Sequence, residues 1–450
     1  MDHVSYRLGL GGVLVLVIAC GGSPANPTAE MDGDAGGACG PFPALDSLSL
    51  SEGGRVAIAR EGALADPSLS FEATGAVSVA DDGSRVLVYA AYGPAADAAP
   101  STIRVRCAGG GVVETAPEIR PLAWTLVADW DPATSGPLAR EYGAWWLDEE
   151  RGGGLYVFGG FHYVPRQFTP AWDLWRYDFA TASWTEMSSI EPPMAPGGRV
   201  AAGREPGTIL YFGGSTPMAD GSIDTPSVLR ELSYSGDTKI WTEAPFESSA
   251  PGSYTGALIR DERRDRWLSV CGVDARLLGI HCRVHAYTPE GGWSQVFVAD
   301  GPMPHGRFGF HYAYDEETDR VIVAGGQTGP GNLDMTGDAW ALELGEDPPR
   351  WVELTEDLPE IRRRNGSFVL DPIGRRLFVW GGTADGMTTV QGLFALGVDR
   401  GRERWDRVDV PEEVPERTSG IGVYDPIGAR ALFGFGNSDD VYTDLWSLAL

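Results

Sequence analysis

Three shortages narrow this 450-residue chain before any motif is read. No stretch of useful length repeats apolar residues at helical spacing, so the body of the protein is not helical. The apolar run from Leu8 to Ala19 has twelve residues, too few to cross a bilayer unaided. Basic residues are few: Lys plus Arg is 35 against 63 for Asp plus Glu, a net charge of -28. That field repels nucleic acid and anionic lipid surfaces, which removes both as partners. Cysteine numbers only five, with no Cys-x-x-Cys spacing to support a zinc site. No Ser/His/Asp arrangement and no phosphate loop is recognisable.

Glycine and proline are plentiful, at 61 and 32, as a turn-dense β architecture requires. The organising stretch runs from Leu155 to Met187. Leu155-Tyr156-Val157-Phe158 ends on Gly159-Gly160, Asp173-Leu174-Trp175-Arg176-Tyr177-Asp178 follows, and Trp184-Thr185-Glu186 closes the unit. Each run has strand length, and Gly, Pro, Asp and Ser break the chain between them. The unit returns at Ile209–Gly214, Val321–Gly326 and Leu377–Gly382, and in degenerate form at Trp267–Gly272 and Leu432–Gly436. The positions in phase with the first glycine are 159, 213, 271, 325, 381 and 435, with Cys at 271 and Phe at 435 in the degenerate copies, spaced 54, 58, 54, 56 and 54.

Six units in phase, four with a diglycine closing the second strand and two with a single glycine there, resemble the kelch β-propeller. The resemblance covers residues 121 to 450. It implies an all-β fold: a six-bladed kelch-type β-propeller, here preceded by a small β-sandwich. Outer strands begin near Trp124, Trp184, Trp241, Trp293, Trp351 and Trp405. The last unit has three strand runs and no fourth before Leu450. The orphan strand at 121–127 is expected to complete it, because an open blade would expose an unpaired edge. Asp371-Pro372-Ile373-Gly374 and Asp425-Pro426-Ile427-Gly428 read as hairpin turns.

Residues 1–19 read as a secretory signal. Val17-Ile18-Ala19-Cys20 resembles the bacterial lipobox, which implies lipidation of Cys20; Gly21 in place of Asp implies outer-membrane sorting in the cell envelope. The rival is an ordinary cleavage site with a chance cysteine. Residues 20–38 are a flexible tether. Residues 39–118 show alternating runs suited to a small immunoglobulin-like sandwich acting as a spacer. With Cys20 lipidated, Cys39, Cys107, Cys271 and Cys282 remain, and three pairings are open. Cys39–Cys107 would close the small domain, and Cys271–Cys282 would join neighbouring strands of one blade.

Counting back about eighteen residues from each diglycine reaches Arg140, Arg199, Ser253, Arg307, Arg363 and Arg417. Five guanidinium forks at one channel mouth would suit an anionic ligand. The resemblance supports this, since kelch adaptor domains hold acidic peptides with arginines at similar places. The structural alternative is that Pro-x-x-Arg belongs to the repeat and ties blades to loop carbonyls. His162, Gln327 and Asn437 should lie on loops at the same mouth.

Enzymes of the propeller class supply the other reading. Galactose oxidase needs copper held by Tyr and His with a crosslinked Cys, whereas Cys271 and Cys282 are better explained as a pair. His305 and His311 share one strand without assembled partners. Iron-binding kelch specifier proteins use Glu-x-x-x-Asp-x-x-x-His, and no histidine of the repeats has Asp four residues before it. A six-bladed sialic-acid mutarotase needs only acid–base and arginine groups. The expectation is a monomeric, lipid-anchored, non-catalytic module binding a protein or glycan at its mouth, with no cofactor. The alternative is a sugar-active enzyme of the mutarotase or oxidase kind.

Overall fold

The computed structural model describes residues 39–450 apart from 94–99, 149–152, 165–166, 190–195, 218–222, 227, 235–239, 244–251, 275–278 and 332. The signal, Cys20 and the tether called at 1–38 lie outside the described residues. Among those residues no helix is long and apolar enough to cross a membrane. The chain divides into a unit ending at Arg120 and a unit spanning Pro121–Leu450.

The smaller unit is all-β apart from short helical turns. Arg55–Ala59, Arg85–Ala90 and Val77–Asp81 form one antiparallel sheet, with Arg85–Ala90 central. Ser70–Thr74, Thr102–Arg106 and Val112–Thr115 form the other, around Thr102–Arg106. Both central strands alternate in burial, so Val86, Val88, Ile103 and Val105 enter a shared core while their neighbours face out. Cys39 is bonded to Cys107 and both pack on that core.

The larger unit holds six four-stranded antiparallel sheets among the described residues. Sheet 1 comprises Ala144–Leu147, Gly154–Phe158, Asp173–Asp178 and Ser183–Ser189. Sheet 2 comprises Arg199–Ala202, Thr208–Phe212, Leu229–Ser233 and Ile240–Glu243. Sheet 3 comprises Ala257–Asp261, Arg266–Asp274, Gly279–Thr288 and Gly292–Gln295. Sheet 4 comprises His311–Asp315, Arg320–Ala324, Ala339–Glu343 and Arg350–Thr355. Sheet 5 comprises Ser367–Asp371, Arg376–Trp380, Leu393–Gly397 and Trp405–Val408. Sheet 6 comprises Ile421–Asp425, Arg430–Gly434 and Asp444–Ala449, and its fourth strand is Ala123–Asp129 from the start of the unit, with Trp124 opposite Leu448.

The first strand of each sheet lies beside that of the next, and the first strand of sheet 6 returns to that of sheet 1. The six sheets therefore close on themselves. Second strands are covered on both faces, which is why they read as unbroken apolar runs; Gly154–Phe158 and Arg376–Trp380 are buried throughout. Core side chains fill the spaces between neighbouring sheets. Between sheets 5 and 6, Trp124 of the closing strand packs 5.3 Å from Trp380 and 5.4 Å from Phe433. Each such ring contributes about 1.5–3 kcal/mol by burial.

The glycine pairs do the stitching. All six first positions are left-handed, including the two non-glycines Cys271 (φ 52°) and Phe435 (φ 55°). This turn aims the following amide at the next sheet: Gly214 donates to Ser253 O, Gly272 to Arg307 O, Gly326 to Arg363 O, and Gly382 to Arg417 O. Gly436 donates to Arg140 O and so joins the last sheet to the first. A Cβ on Gly381 would stand 2.0 Å from the Arg417 carbonyl oxygen, so glycine is required there. At the opposite end of the sheets, Asp371 caps its turn by accepting from the amides of Ile373 and Gly374, and Asp425 does the same for Ile427 and Gly428.

Candidate functional site at the axial mouth

Where each chain segment enters a first strand, three successive positions recur around the axis. The first is a buried ring: Arg140, Ser253, Arg307, Arg363 and Arg417, with the sheet 2 equivalent at 195 outside the described residues. Arg140 donates through one guanidinium nitrogen to Gly159 O, and Arg307, Arg363 and Arg417 do likewise to Gly325, Gly381 and Phe435 O. Arg140, Arg307 and Arg417 also form bidentate pairs with Asp173, Asp338 and Asp444. Those aspartates accept in turn from Trp175, Trp340 and Trp446, two residues further on. Arg363 uses carbonyls of Gly381, Gly392 and Glu360 instead. These four side chains are buried and each is held by several hydrogen bonds, so the geometry is that of structural ties, with the Arg363 Nε alone of this set buried without a partner among the described residues.

Ser253 takes the arginine's place in sheet 3 and donates only to Cys271 O, at 3.3 Å. There the second and third strands are joined by the Cys271–Cys282 disulfide.

Arg199 is the exception among the five expected arginines. Its strand pairs Arg199 with Phe212, the register that pairs Ala144 with Phe158, Ala257 with Val270, His311 with Ala324, Ser367 with Trp380 and Ile421 with Gly434. It stands four residues out of phase with the ties and opens the innermost strand.

The second position is a rim: Glu141, Pro196, Tyr254, Phe308, Arg364 and Thr418. The carbonyls of the last five each accept from a loop amide, those of Ser215, Val273, Gln327, Thr383 and Asn437 in turn, which fixes their equivalence. Glu141 pairs with Phe161 in the corresponding place. The third position is a left-handed collar: Tyr142, Gly197, Thr255, Gly309, Asn365 and Ser419, with φ between 50° and 79°. Thr255 N donates to Gly197 O, Gly309 N to Thr255 O, Asn365 N to Gly309 O and Ser419 N to Asn365 O. Four non-glycine residues held left-handed side by side mark strain concentrated at a site.

Tyr142 crosses the axis. Its ring lies 6.2 Å from that of Tyr254, and its hydroxyl accepts from Asn365 Nδ2 at 2.9 Å. Burial pushes its phenol up, and Glu141 adds to this, while the Ser419 hydroxyl bond, Arg364 and Arg199 act the other way. Burial likewise drives the Tyr254 phenol far up, reinforced by Tyr142 and Glu141 and opposed by Arg199 and Arg364. Tyr254 thus shares one neighbourhood with a carboxyl, two guanidinium groups and a second phenol. Glu141 is 5% exposed and burial raises it to about 7 from 4.5. It makes no ion pair among the described residues.

Of the loop residues expected here, Asn437 donates its amide to Glu141 and Gln327 accepts from Arg364. Each loop side chain positions the rim residue of the following sheet. His162 pairs with Arg140 in a short flap, and burial, with Arg140 beside it, pulls its imidazole down. His305 and His311 do not share a strand: His311 opens one and His305 lies in the loop before it. His311 bridges sheets 4 and 5, Nδ1 against Ala324 O at 3.1 Å and Nε2 accepting from Gly366 N at 3.2 Å; burial drops it to about 3. Glu141, Tyr254 and Arg364 escaped the sequence reading, although each lies between a repeated arginine or serine and a repeated glycine.

The closed cycle of antiparallel sheets, with its diglycine stitching, is the fold of a kelch-type β-propeller. The solved structure of YjhT matches it with a TM-score of 0.51 at 13% identity, over 70% of this chain and 95% of that chain. At that identity the likeness concerns the fold alone. A fungal alcohol oxidase of the AA5 family, solved in complex with copper, aligns with a TM-score of 0.45 at 14% identity, over 88% of this chain and 73% of that chain. No family model and no curated protein matches the sequence. A copper set of Tyr, His and crosslinked Cys does not fit here. Cys271 and Cys282 are joined to each other, His311 is spent on backbone groups, and no three His, Cys, Asp or Glu converge among the described residues.

Proposed function

We propose that the larger unit is a six-bladed propeller whose axial mouth handles a small hydroxylated molecule, a sugar, by acid–base chemistry of the mutarotase kind. The N-terminal reading places it in the cell envelope, exported and lipidated at Cys20, with the smaller immunoglobulin-like unit as spacer. The observation that carries the proposal is Glu141: a buried carboxyl poised near neutrality, held by Asn437, without an ion pair among the described residues, and facing the neighbourhood of Tyr254. A general base works best with its pKa near the operating pH. Ring opening of a sugar hemiacetal needs one group to take the anomeric hydroxyl proton as the ring C–O bond breaks. A second must give a proton to the ring oxygen. Glu141 suits the first role. The Tyr254 hydroxyl, which has no hydrogen-bond partner among the described residues, suits the second, with Arg364 nearby to offset developing negative charge. Reclosure on the other face returns both protons.

Anomer exchange measured by NMR tests this. The full chain should accelerate exchange of a reducing sugar above the buffer rate, and Glu141→Gln should lower the acceleration by roughly 10²–10⁴. Sugar binding without exchange, unchanged by Glu141→Gln, would return the mouth to a binding role and remove the enzymatic reading.

A further inference from the structure

We infer that the channel beneath Tyr142 holds a small-oxyanion site built on Arg199. Five arginines of the larger unit are completely buried, Arg140, Arg307, Arg320, Arg376 and Arg417, and each faces a carboxylate within 3.5 Å. Arg199 has none among the described residues. Its only hydrogen bond there is a long one, from Nη1 to its neighbour Gly198 O at 3.5 Å, and its Nε is buried with no partner. An inward guanidinium left without an anion is penalised by desolvation, and fold repetition does not ask for it. The five equivalent first-strand positions carry Ala, Ala, His, Ser and Ile.

The surroundings suit an anion. Arg199 lines a cavity of about 100 Å³ on the axis with Trp145, Val200, Tyr312 and Phe368. Its charge bears on the phenols of Tyr142, Tyr211, Tyr254 and Tyr312. Burial raises all four, Tyr211 to about 12, so every hydroxyl keeps its proton at neutral pH. The lining carries no carboxylate, and the Arg199 charge repels a cation from it. The cavity fits an ion of acetate, sulfate or phosphate size and excludes a nucleotide or a folded chain. The oxyanion arrives either as a free ion or as the acid group of a larger molecule lying across the mouth.

The site does not depend on sugar turnover, and calorimetry on the full chain separates the two. Acetate and phosphate are titrated at constant ionic strength balanced with chloride. The wild type should bind one ion per chain saturably, and Arg199→Gln should weaken this about ten- to a hundredfold, the range for a charged hydrogen bond. Arg199→Lys should recover part of the phosphate affinity and little of the acetate affinity, since a lysine lacks the planar fork. The titrations contain no sugar, so a failed exchange assay leaves this inference standing. Glucuronate binding tighter than acetate would identify the acid group of a larger molecule, equal affinities a free ion; either upholds the site. No saturable binding by the wild type, or equal binding by Arg199→Gln, would overturn it. So would an Arg199→Gln chain that melts well below the wild type, because the guanidinium would then be a structural tie.

Discussion

At the buried ring the described sheets carry Arg140, Ser253, Arg307, Arg363 and Arg417; one residue later they carry Glu141, Tyr254, Phe308, Arg364 and Thr418. The two rings share a backbone and differ in chemistry. The buried one repeats because the five sheets described there share a need: a donor to hold the carbonyl of the left-handed turn and, in three of them, the aspartate that opens the third strand. The rim has no such shared need, and its side chains meet across the axis rather than within a sheet. An acid, a base, a phenol, an aromatic ring and a hydroxyl at one structural position cannot be explained by stitching. In a repeat protein, repetition points to scaffold and departure from it points to function.

That contrast can be broken from the scaffold side first, where the largest effect is expected. Sheet 6 borrows its fourth strand, and Trp124 fills the space between sheets 5 and 6. A chain beginning at residue 131 should lose the strand Ala123–Asp129 with half-buried Trp124, and the buried Trp130 beyond it, and so several kcal/mol, since truncating one buried Trp alone costs about 3–5. Chemical denaturation against a chain beginning at residue 121 checks this. Matching midpoints would mean that the cycle closes without the strand.

A smaller effect sharpens the rim side. Glu141 sits at about 7 when folded against 4.5 ordinarily, so the folded chain keeps a proton that the unfolded chain releases between those values. Its pKa is raised on folding. The stability it contributes is therefore present below pH 4.5 and lost as pH rises through 7, by up to roughly 3 kcal/mol. The wild type should lose stability relative to Glu141→Gln between pH 5 and pH 8, read from urea midpoints of both. A difference independent of pH would mean that the carboxyl is solvated and ordinary.

The six repeats, their strand order and the all-β class were legible because each rests on local chemistry: β-branched runs, a glycine pair, a Trp. Arg140, Arg307, Arg363 and Arg417 were legible as a set for the same reason. Arg199 entered that set falsely. In the sequence, Ala195 precedes Pro196 where the other repeats carry their tie before the rim residue, and an arginine four residues further on stood near enough to pass for it. Aligning Gly197 of Pro196-Gly197-Gly198-Arg199 with Gly309 of Phe308-Gly309-Phe310-His311 would have corrected the phase. The rim was not legible, because Glu141, Tyr254 and Arg364 become neighbours only when the cycle closes, and no spacing records that. Gln327 and Asn437 were placed at the mouth from their loops, but which rim residue each one holds follows from sheet order alone.

The separation of scaffold from site is tested most directly by the unfolding free energies of Arg307→Ala and Arg199→Ala, measured side by side. Arg307 leaves Asp338 buried and unpaired when removed, so its loss should cost roughly 3–5 kcal/mol. Arg199 has no carboxylate partner to strand among the described residues, and its loss should cost about 1 kcal/mol or less. Equal losses, or a larger loss for Arg199, would contradict the division of the mouth into a ring that holds the fold and a ring that serves a ligand.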